Sequence, residues 1–537
     1  MRNAIYATRQ MKHFNVILKP DGKQVSIHEG ATLLDAAAQA GIILNTVCGG
    51  RGTCGKCLAY LEPDATQVLA CQCRIGSDVT ATIPPESRFF EQRILTEGLD
   101  GRHEIQADIY RDYSQAEAIC GLAVDLGTTT VVAKLIDMRT GRGLATEAAL
   151  NPQTRFGDDV VSRIAYAETG EKAADLHKAV VDCINDLTGK LCRTAAVSYK
   201  DIYEACIVGN TTMSHIFLEL PVAQLGRAPY EAFSLEAHDL SAGDSPLQIN
   251  SAGNIHTVEN IAGFVGSDTV AVVLATGMDC AEETTLIVDV GTNGEIVLGA
   301  KEKLYAASCA AGPAFEGARI TCGSRAADGA IEAVVAIGDE IDLDVIGNSA
   351  PRSICGSGLI DALAVLLDLG IIDRTGRFTE RLELKEKLPD PIFSRIIEYQ
   401  GQPAFSLAAA ENANERPVFL SQKDIRESQL AKAAIRAGIR LLQQKMGIED
   451  RDIERILLAG AFGNYINPRS ALRIGLLPEV GAERIHFVGN AASAGAQMIL
   501  VCRRSRNQAG ELARKIEYVE TAHQGSFQDV FADSLLF

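Results

Sequence analysis

One stretch, Cys48–Cys71, constrains this chain more than any other. It reads VCGGRGTCGKC, then thirteen residues, then CQC, so Cys48, Cys54, Cys57 and Cys71 stand at spacings of five, two and thirteen. Three thiolates from one glycine-rich loop and a fourth from a following strand can enclose a small iron–sulfur cluster. Gly49, Gly50, Gly52 and Gly55 let the backbone bend tightly and turn N–H groups toward the sulfides. Zinc is the first alternative, because Cys57 closes a Cys-x2-Cys pair. Zinc ribbons pair two such knuckles, however, and here Cys48 stands alone five residues upstream. A disulfide framework fits less well in a chain that shows no secretory signal. Cys73 is the alternative to Cys71 as fourth ligand.

The surrounding residues spell a small sheet. FNVILK and QVSIHE alternate as strands within residues 14–29, joined by Pro20-Asp21-Gly22. ATLLDAAAQAG is a helix with Thr32 as N-cap and Gly41 as terminator. LAYLE and DVTATIP follow the cysteine loop as further strands. Loop and strands together resemble the 2Fe–2S ferredoxins, with the five-residue spacing of their adrenodoxin-like branch. The resemblance implies an α+β β-grasp domain over 11–86 and favours Cys71, in LACQ, as the fourth ligand. The opening MRNAIYATRQ has no apolar run, so it reads as a lead segment rather than a signal peptide, with Met11 as an alternative first residue.

Size and charge bound the rest. A length of 537 residues calls for several domains, and 47% hydrophobic residues supply their cores. No run approaches the roughly 20 apolar residues of a membrane helix. A net charge of −18 argues against nucleic acid and anionic membranes as partners. Fourteen cysteines point to a reducing, anaerobic cytoplasm.

The charged, interrupted segment 87–118 reads as a linker, with one more helix on the next domain as the alternative, and after it the character changes. GLAVDLGTTTVVAKLID is a strand, a tight turn and a strand, with Asp125 ahead of Gly127-Thr128-Thr129-Thr130. Such a hairpin tip offers N–H groups and hydroxyls to a phosphate, and the aspartate can hold a magnesium water shell. The pattern recurs at 284–299, with Asp289 ahead of Gly291-Thr292-Asn293-Gly294. Two copies suggest a duplicated fold with a cleft between the halves. Residues 263–277 read as a helix on the cleft floor, opened by Gly266-Ser267-Asp268. Residues 455–467 read as strand, glycine-rich turn and helix, where Gly460, Ala461 and Gly463 allow flat packing against a purine. Residues 486–500 read as strand and helix, with small residues where two helices cross. Segments 151–163, 208–215, 310–331 and 354–361 are polar and glycine-rich and read as cleft rim.

As a set these motifs resemble the actin, Hsp70 and sugar kinase superfamily. The resemblance implies an α/β duplicated ATPase, with a first half over 119–275 and a second over 276–537. It makes Gly127, Thr128, Thr129, Gly291, Thr292 and Asn293 the phosphate contacts and Gly460, Ala461 and Phe462 the adenosine contacts. Asp125 and Asp289 then position Mg2+ through water. Asp268 or Glu295 orients the attacking water, and the choice between them stays open.

A one-electron cluster and an ATP-driven hinge on one chain imply a coupled task. A plant-type 2Fe–2S centre lies near about −400 mV. Passing its electron about 100 mV further down costs about 2.3 kcal/mol, within reach of ATP. Through NPQ..FGDDV, VGNTTM, DVGTNGE, CGSGLID and LAGAFGN the chain resembles the reductive activators of corrinoid proteins over nearly its whole length. That resemblance implies reduction of a Co(II) corrinoid protein to Co(I) in an anaerobic methyltransferase system, fed by a low-potential electron donor. Two other readings are a small-molecule kinase with a redox sensor and an ATP-latched scaffold. The activators of 2-hydroxyacyl-CoA dehydratases lack a ferredoxin domain, so the Cys48–Cys71 loop counts against them.

The remaining cysteines, Cys120, Cys183, Cys192, Cys206, Cys280, Cys309, Cys322, Cys355 and Cys502, read mostly as small core residues. His215 reads as a core histidine. ERLELKEKLPD reads as a solvated helix face. The amphipathic tail from His523 reads as a helix docked on its own domain, with a homodimer contact as the alternative.

Overall fold

Alternation of apolar side chains sets the first strands. In β1 (His13–Lys19), Phe14, Val16 and Leu18 are buried and the residues between them are more exposed. The computed structural model describes residues 12–537 apart from 21, 41, 43, 45–51, 53–56, 85–86, 88–117, 292, 411–416, 461–464 and 522–523. Asp21, Gly41, Cys48 and Cys54, and the linker apart from its ends, therefore lie outside the described residues. β1 pairs antiparallel with β2 (Lys23–His28). With β3 (Leu58–Leu61), β4 (Thr66–Leu69) and β5 (Val79–Thr82) it forms a sheet of order β2-β1-β5-β3-β4. The Leu33–Gln39 helix starts at Thr32, whose side chain accepts from Asp35 N–H while Asp35 returns the bond. β4 is an edge strand of four residues, two exposed and two half-buried, too short to show a period in the sequence.

The next sheet contains β6 (Cys120–Leu126), β7 (Thr130–Asp137), β8 (Gly143–Leu150), β9 (Ile202–Gly209), β10 (His238–Ser241) and β11 (Asn254–Thr257). Its order is β10-β11-β9-β6-β7-β8. β9 is buried along its whole length and runs parallel to β6, as a near-continuous apolar strand should. A third sheet begins with β12 (Thr285–Val290), β13 (Gly294–Ala300) and β14 (Lys303–Cys309). Two three-stranded sheets interrupt it: β15 (Ala330–Ile337), β16 (Glu340–Val345) and β17 (Ser353–Ile354), then β18 (Ile396–Tyr399), β19 (Gln402–Ala408) and β20 (Val418–Ser421). β21 (Arg455–Ala459), β22 (Ile485–Gly489) and β23 (Glu517–Tyr518) complete the order β22-β21-β12-β13-β14-β23.

The duplication is visible in these orders. β11-β9-β6-β7-β8 and β22-β21-β12-β13-β14 have the same sequence of two parallel and two antiparallel pairings. A helix follows the outer parallel strand in each half: Ser267–Thr276 after β11, Ala491–Val501 after β22. The two helices pack against each other, and one apolar core joins both halves through them. Gly495 sits at their closest approach, where a Cβ would lie 2.1 Å from the Ala271 carbonyl oxygen.

Several expectations shift. The strand expected within 455–467 is β21, whereas residues 461–464, where the turn and helix are expected, lie outside the described residues; a further helix follows at Pro468–Arg473, capped by Asn467 with proline in its first turn. Cys280 is exposed and Cys322 half-buried, so neither is a core residue, whereas the other seven cysteines of that group are buried. The Arg381–Lys387 helix is largely exposed, as expected. The Phe527–Ser534 helix docks on the Gln422–Met446 helix, with Val530 against Ala437 and Leu441. Among the described residues no helix is long and apolar enough to cross a membrane.

Because Gly495 has backbone and not a flexible side chain opposite it, Gly495→Val should cost at least about 2 kcal/mol of stability. Thermal melting of the ATPase-like region should show the loss, while the visible absorption of the N-terminal domain stays unchanged.

Candidate functional site

Two tight hairpins face one cleft. In the first, Gly127 N–H donates to Thr130 O at 3.0 Å, and a Cβ on residue 127 would come within 2.6 Å of that oxygen, so the turn takes only glycine. In the second, Asp289 on β12 lies directly opposite Glu295 on β13. Val132 holds the equivalent place opposite Asp125 in the first hairpin. The cleft encloses about 500 Å³, the size of small-molecule sites generally.

Asp125, Gly127, Thr128, Thr129, Asp268, Asp289, Gly291, Asn293, Glu295 and Gly460 all line it. Thr292, Ala461 and Phe462 lie outside the described residues. Gly460 has φ +82°, and a Cβ there would meet the Asp289 carboxylate at 2.2 Å. It therefore backs the Asp289 carboxylate as well as bordering the expected purine position. The far wall is built by Phe315, Glu316, Arg325 and Cys355–Ser357, from two of the segments read as rim.

The electrostatics are dominated by acid. Burial, with the Asp268 charge adding to it, raises the carboxyls of Asp125 and Asp289 to about 7. Asn490 offsets part of this at Asp125, donating its Nδ2–H to Oδ2 at 2.8 Å. Burial also raises Asp268, whose Oδ1 accepts Thr269 N–H at 2.8 Å. Glu295 is pushed well above the usual carboxylate range by burial, then by Asp268 and Asp289. Like charges directly opposite on a ladder repel, so the Asp289–Glu295 pair favours a cation between the hairpins. Four oxygen-bearing acids beside hydroxyl and amide donors suit a hydrated Mg2+ with its phosphates.

Sequence reasoning missed the asparagines. Asn490 caps the Ala491–Val501 helix and reaches Asp125; Asn210 caps Thr211–Phe217 and donates to Thr128 Oγ1 at 2.9 Å. A buried strand followed by asparagine and a helix was the available signal. In place of the rim expected over 151–163, Asn151 and Arg163 are buried behind the first hairpin, because their donors serve loop carbonyls. His215 is a core histidine as expected, its ring nitrogens bonded to Thr211 O at 2.7 Å and Ser234 N–H at 3.3 Å.

In the N-terminal domain Cys57 and Cys71 are both buried. Ala70 N–H donates to Cys57 O at 2.8 Å, which brings the two ends of the β3–β4 hairpin together. Gln72 Nε2 donates to Cys71 Sγ at 3.6 Å, the kind of outer partner that cluster sulfurs use. Cys73 is only half-buried, and burial raises its thiol. The domain rests on the ATPase-like region: His13 Nε2 lies 2.6 Å from Asp344 Oδ1, and Tyr465 Oη donates to Gln39 O at 3.2 Å. Glu332, Ser357 and Tyr465 line the cleft and also a second groove of about 380 Å³ beneath the Leu33–Gln39 helix.

Comparison with known proteins agrees with this anatomy. Residues 16–76 match the 2Fe-2S iron-sulfur cluster binding domain, 120–281 the RACo middle region, and 283–537 the C-terminal domain of RACo, the ASKHA domain. The chain is 34% identical to the corrinoid activation enzyme RamQ of Eubacterium limosum, covering 96% of this chain and 98% of that one. It is 25% identical to a [Co(II) methylated amine-specific corrinoid protein] reductase of Methanosarcina barkeri, covering 74% and 72%. A solved reductive activator for corrinoid, iron-sulfur protein superposes with a TM-score of 0.70 at 33% identity, covering 98% of each chain. The α+β ferredoxin domain and the actin-like ATPase expected from the sequence are thus both present.

The raised acids set a pH dependence. The native state holds protons on Asp125 and Asp289 that the unfolded chain has released, so each carboxyl weakens the fold as pH climbs from about 4 to about 7. In magnesium- and nucleotide-free protein, Asp289→Asn should melt a few degrees above wild type at pH 8 and lose that advantage at pH 5. Melting curves at the two pH values check this.

Proposed function

This chain belongs to the family of corrinoid activation enzymes, and from that premise we propose that it passes one electron, driven by ATP, to the Co(II) of a corrinoid protein, giving Co(I) in an anaerobic methyltransferase system. One observation carries the reading: the cysteine-bearing domain is docked on the wall that lines the nucleotide cleft, with Tyr465 touching both. A change in that wall on ATP binding reaches the redox domain without a long relay. A low-potential electron donor reloads the domain between turnovers.

Cys48, Cys54, Cys57 and Cys71 hold the 2Fe–2S cluster, which supplies a single electron when reduced. The Gln72 bond to Cys71 and the burial of Cys57 and Cys71 support this set over one with Cys73. Thr128, Thr129, Thr292 and Asn293 hold phosphates, and Asp125 and Asp289 position Mg2+ through water. Between the candidates for orienting the attacking water, Glu295 is favoured. Asp268 already accepts Thr269 N–H, whereas Glu295 stands directly opposite Asp289 on the hairpin that lines the cleft. Gly460, Ala461 and Phe462 border the adenosine.

Two experiments follow. Cys71→Ala should abolish the visible and EPR signature of the 2Fe–2S cluster, while Cys73→Ala should keep it. Anaerobic protein mixed with a Co(II) corrinoid protein, a low-potential reductant and MgATP should develop the Co(I) absorption band only with ATP, and Cys54→Ala should abolish it. ATP consumed while cobalt stays Co(II), with cluster and partner intact, would leave the kinase and scaffold readings ahead.

A further inference from the structure

A phosphate loop works only if its N–H groups point at the ligand, and in the first hairpin that orientation is imposed from behind. Three successive carbonyls are taken. Gly127 O accepts from Asn151 Nδ2 at 2.9 Å, Thr128 O from Arg163 Nη2 at 2.6 Å, and Thr129 O from Asn151 N–H at 2.8 Å. In a planar trans peptide the C=O and the following N–H point in opposite directions. Drawing the oxygens of Gly127 and Thr128 away from the cleft therefore turns the N–H groups of Thr128 and Thr129 into it. Both residues line the cleft, and neither N–H has an acceptor among the described residues.

Arg163 is an expensive residue to place there. Its side chain is fully buried, and among the described residues no carboxylate lies within ion-pair distance; Asp158 and Asp159 are only its neighbouring charges. Burial lowers the guanidinium to about 10, leaving it charged at neutral pH. Its other donors go to Gly157 O at 2.9 Å, Gln153 Oε1 at 3.1 Å and Met213 Sδ at 3.2 Å. A cation held by neutral acceptors directly behind a loop polarises the peptide it bonds and strengthens that peptide's N–H toward an anion. The cleft itself is strongly acidic, with Arg325 its one basic lining residue among those described.

We propose that Arg163, with Asn151, is a positioning pair for the nucleotide's phosphates: it orients the Thr128 and Thr129 N–H groups and supplies positive charge from outside the cleft. The inference rests on the ATP-binding part of the function above and adds residues that touch no ligand themselves. It also accounts for segment 151–163, whose polar residues otherwise serve no step.

The test separates phosphate recognition from folding. Arg163→Lys keeps the charge but cannot span Thr128, Gly157 and Gln153 together. Asn151→Asp keeps the acceptor for Gln153 N–H and sets an oxygen against Gly127 O in place of the donor. Titration of the full-length wild type and both variants with MgATP and with adenosine gives the readout. Each variant should weaken MgATP binding about tenfold or more while adenosine binding stays within about twofold. Unchanged MgATP affinity overturns the proposal, as does a parallel loss of MgATP and adenosine binding, which marks a merely structural network. Cobalt reduction is not read here, so wild-type protein that bound MgATP but reduced no cobalt would count against electron transfer and leave this comparison standing.

Discussion

Backbone contact between two helices is the constraint on which this molecule depends. Ser267–Thr276 and Ala491–Val501 each complete one half of the duplicated fold, and they meet where Gly495 lets the Ala271 carbonyl approach closely. No flexible side chain cushions that contact. The halves share one apolar core through it, so a change in one sheet is transmitted as a movement of packed elements. Each helix also brings a polar N-terminus to the cleft: Asp268 in the first turn of one, Asn490 as cap of the other. The helix crossing and the cleft are thus built on the same two helices.

The cleft is poised by charge. Six acids line it, and two of them, Asp289 and Glu295, face each other across one hairpin. Unliganded, they are relieved by holding protons; a divalent cation with its phosphates relieves them in another way. Positive charge on the first hairpin's side lies behind the loop, in Arg163, whose Nη2 donates to Thr128 O.

The redox domain sits beside this response. His13 and Gln39 anchor it on Asp344 and Tyr465, and Tyr465, Glu332 and Ser357 face both the cleft and the groove beneath the domain. For a family of corrinoid activation enzymes this places the energy-supplying and electron-carrying parts in direct contact.

The sequence alone determined what repeats or what has a fixed local geometry. The Cys-x5-Cys-x2-Cys loop, the Thr32 cap, and the paired Asp-x-Gly turns at 125 and 289 are short-range signals, because ligand spacing, capping and tight turns are settled within a few residues. Convergence was left to tertiary structure. Nothing local shows that Asn490 reaches Asp125, 365 residues away, or that Arg163 reaches Thr128 across 35. Nothing local shows that 151–163 lies behind the loop rather than on the rim. Those contacts arise from burial of polar side chains, which must find partners wherever the packed sheets bring them, and that destination is a property of the whole fold.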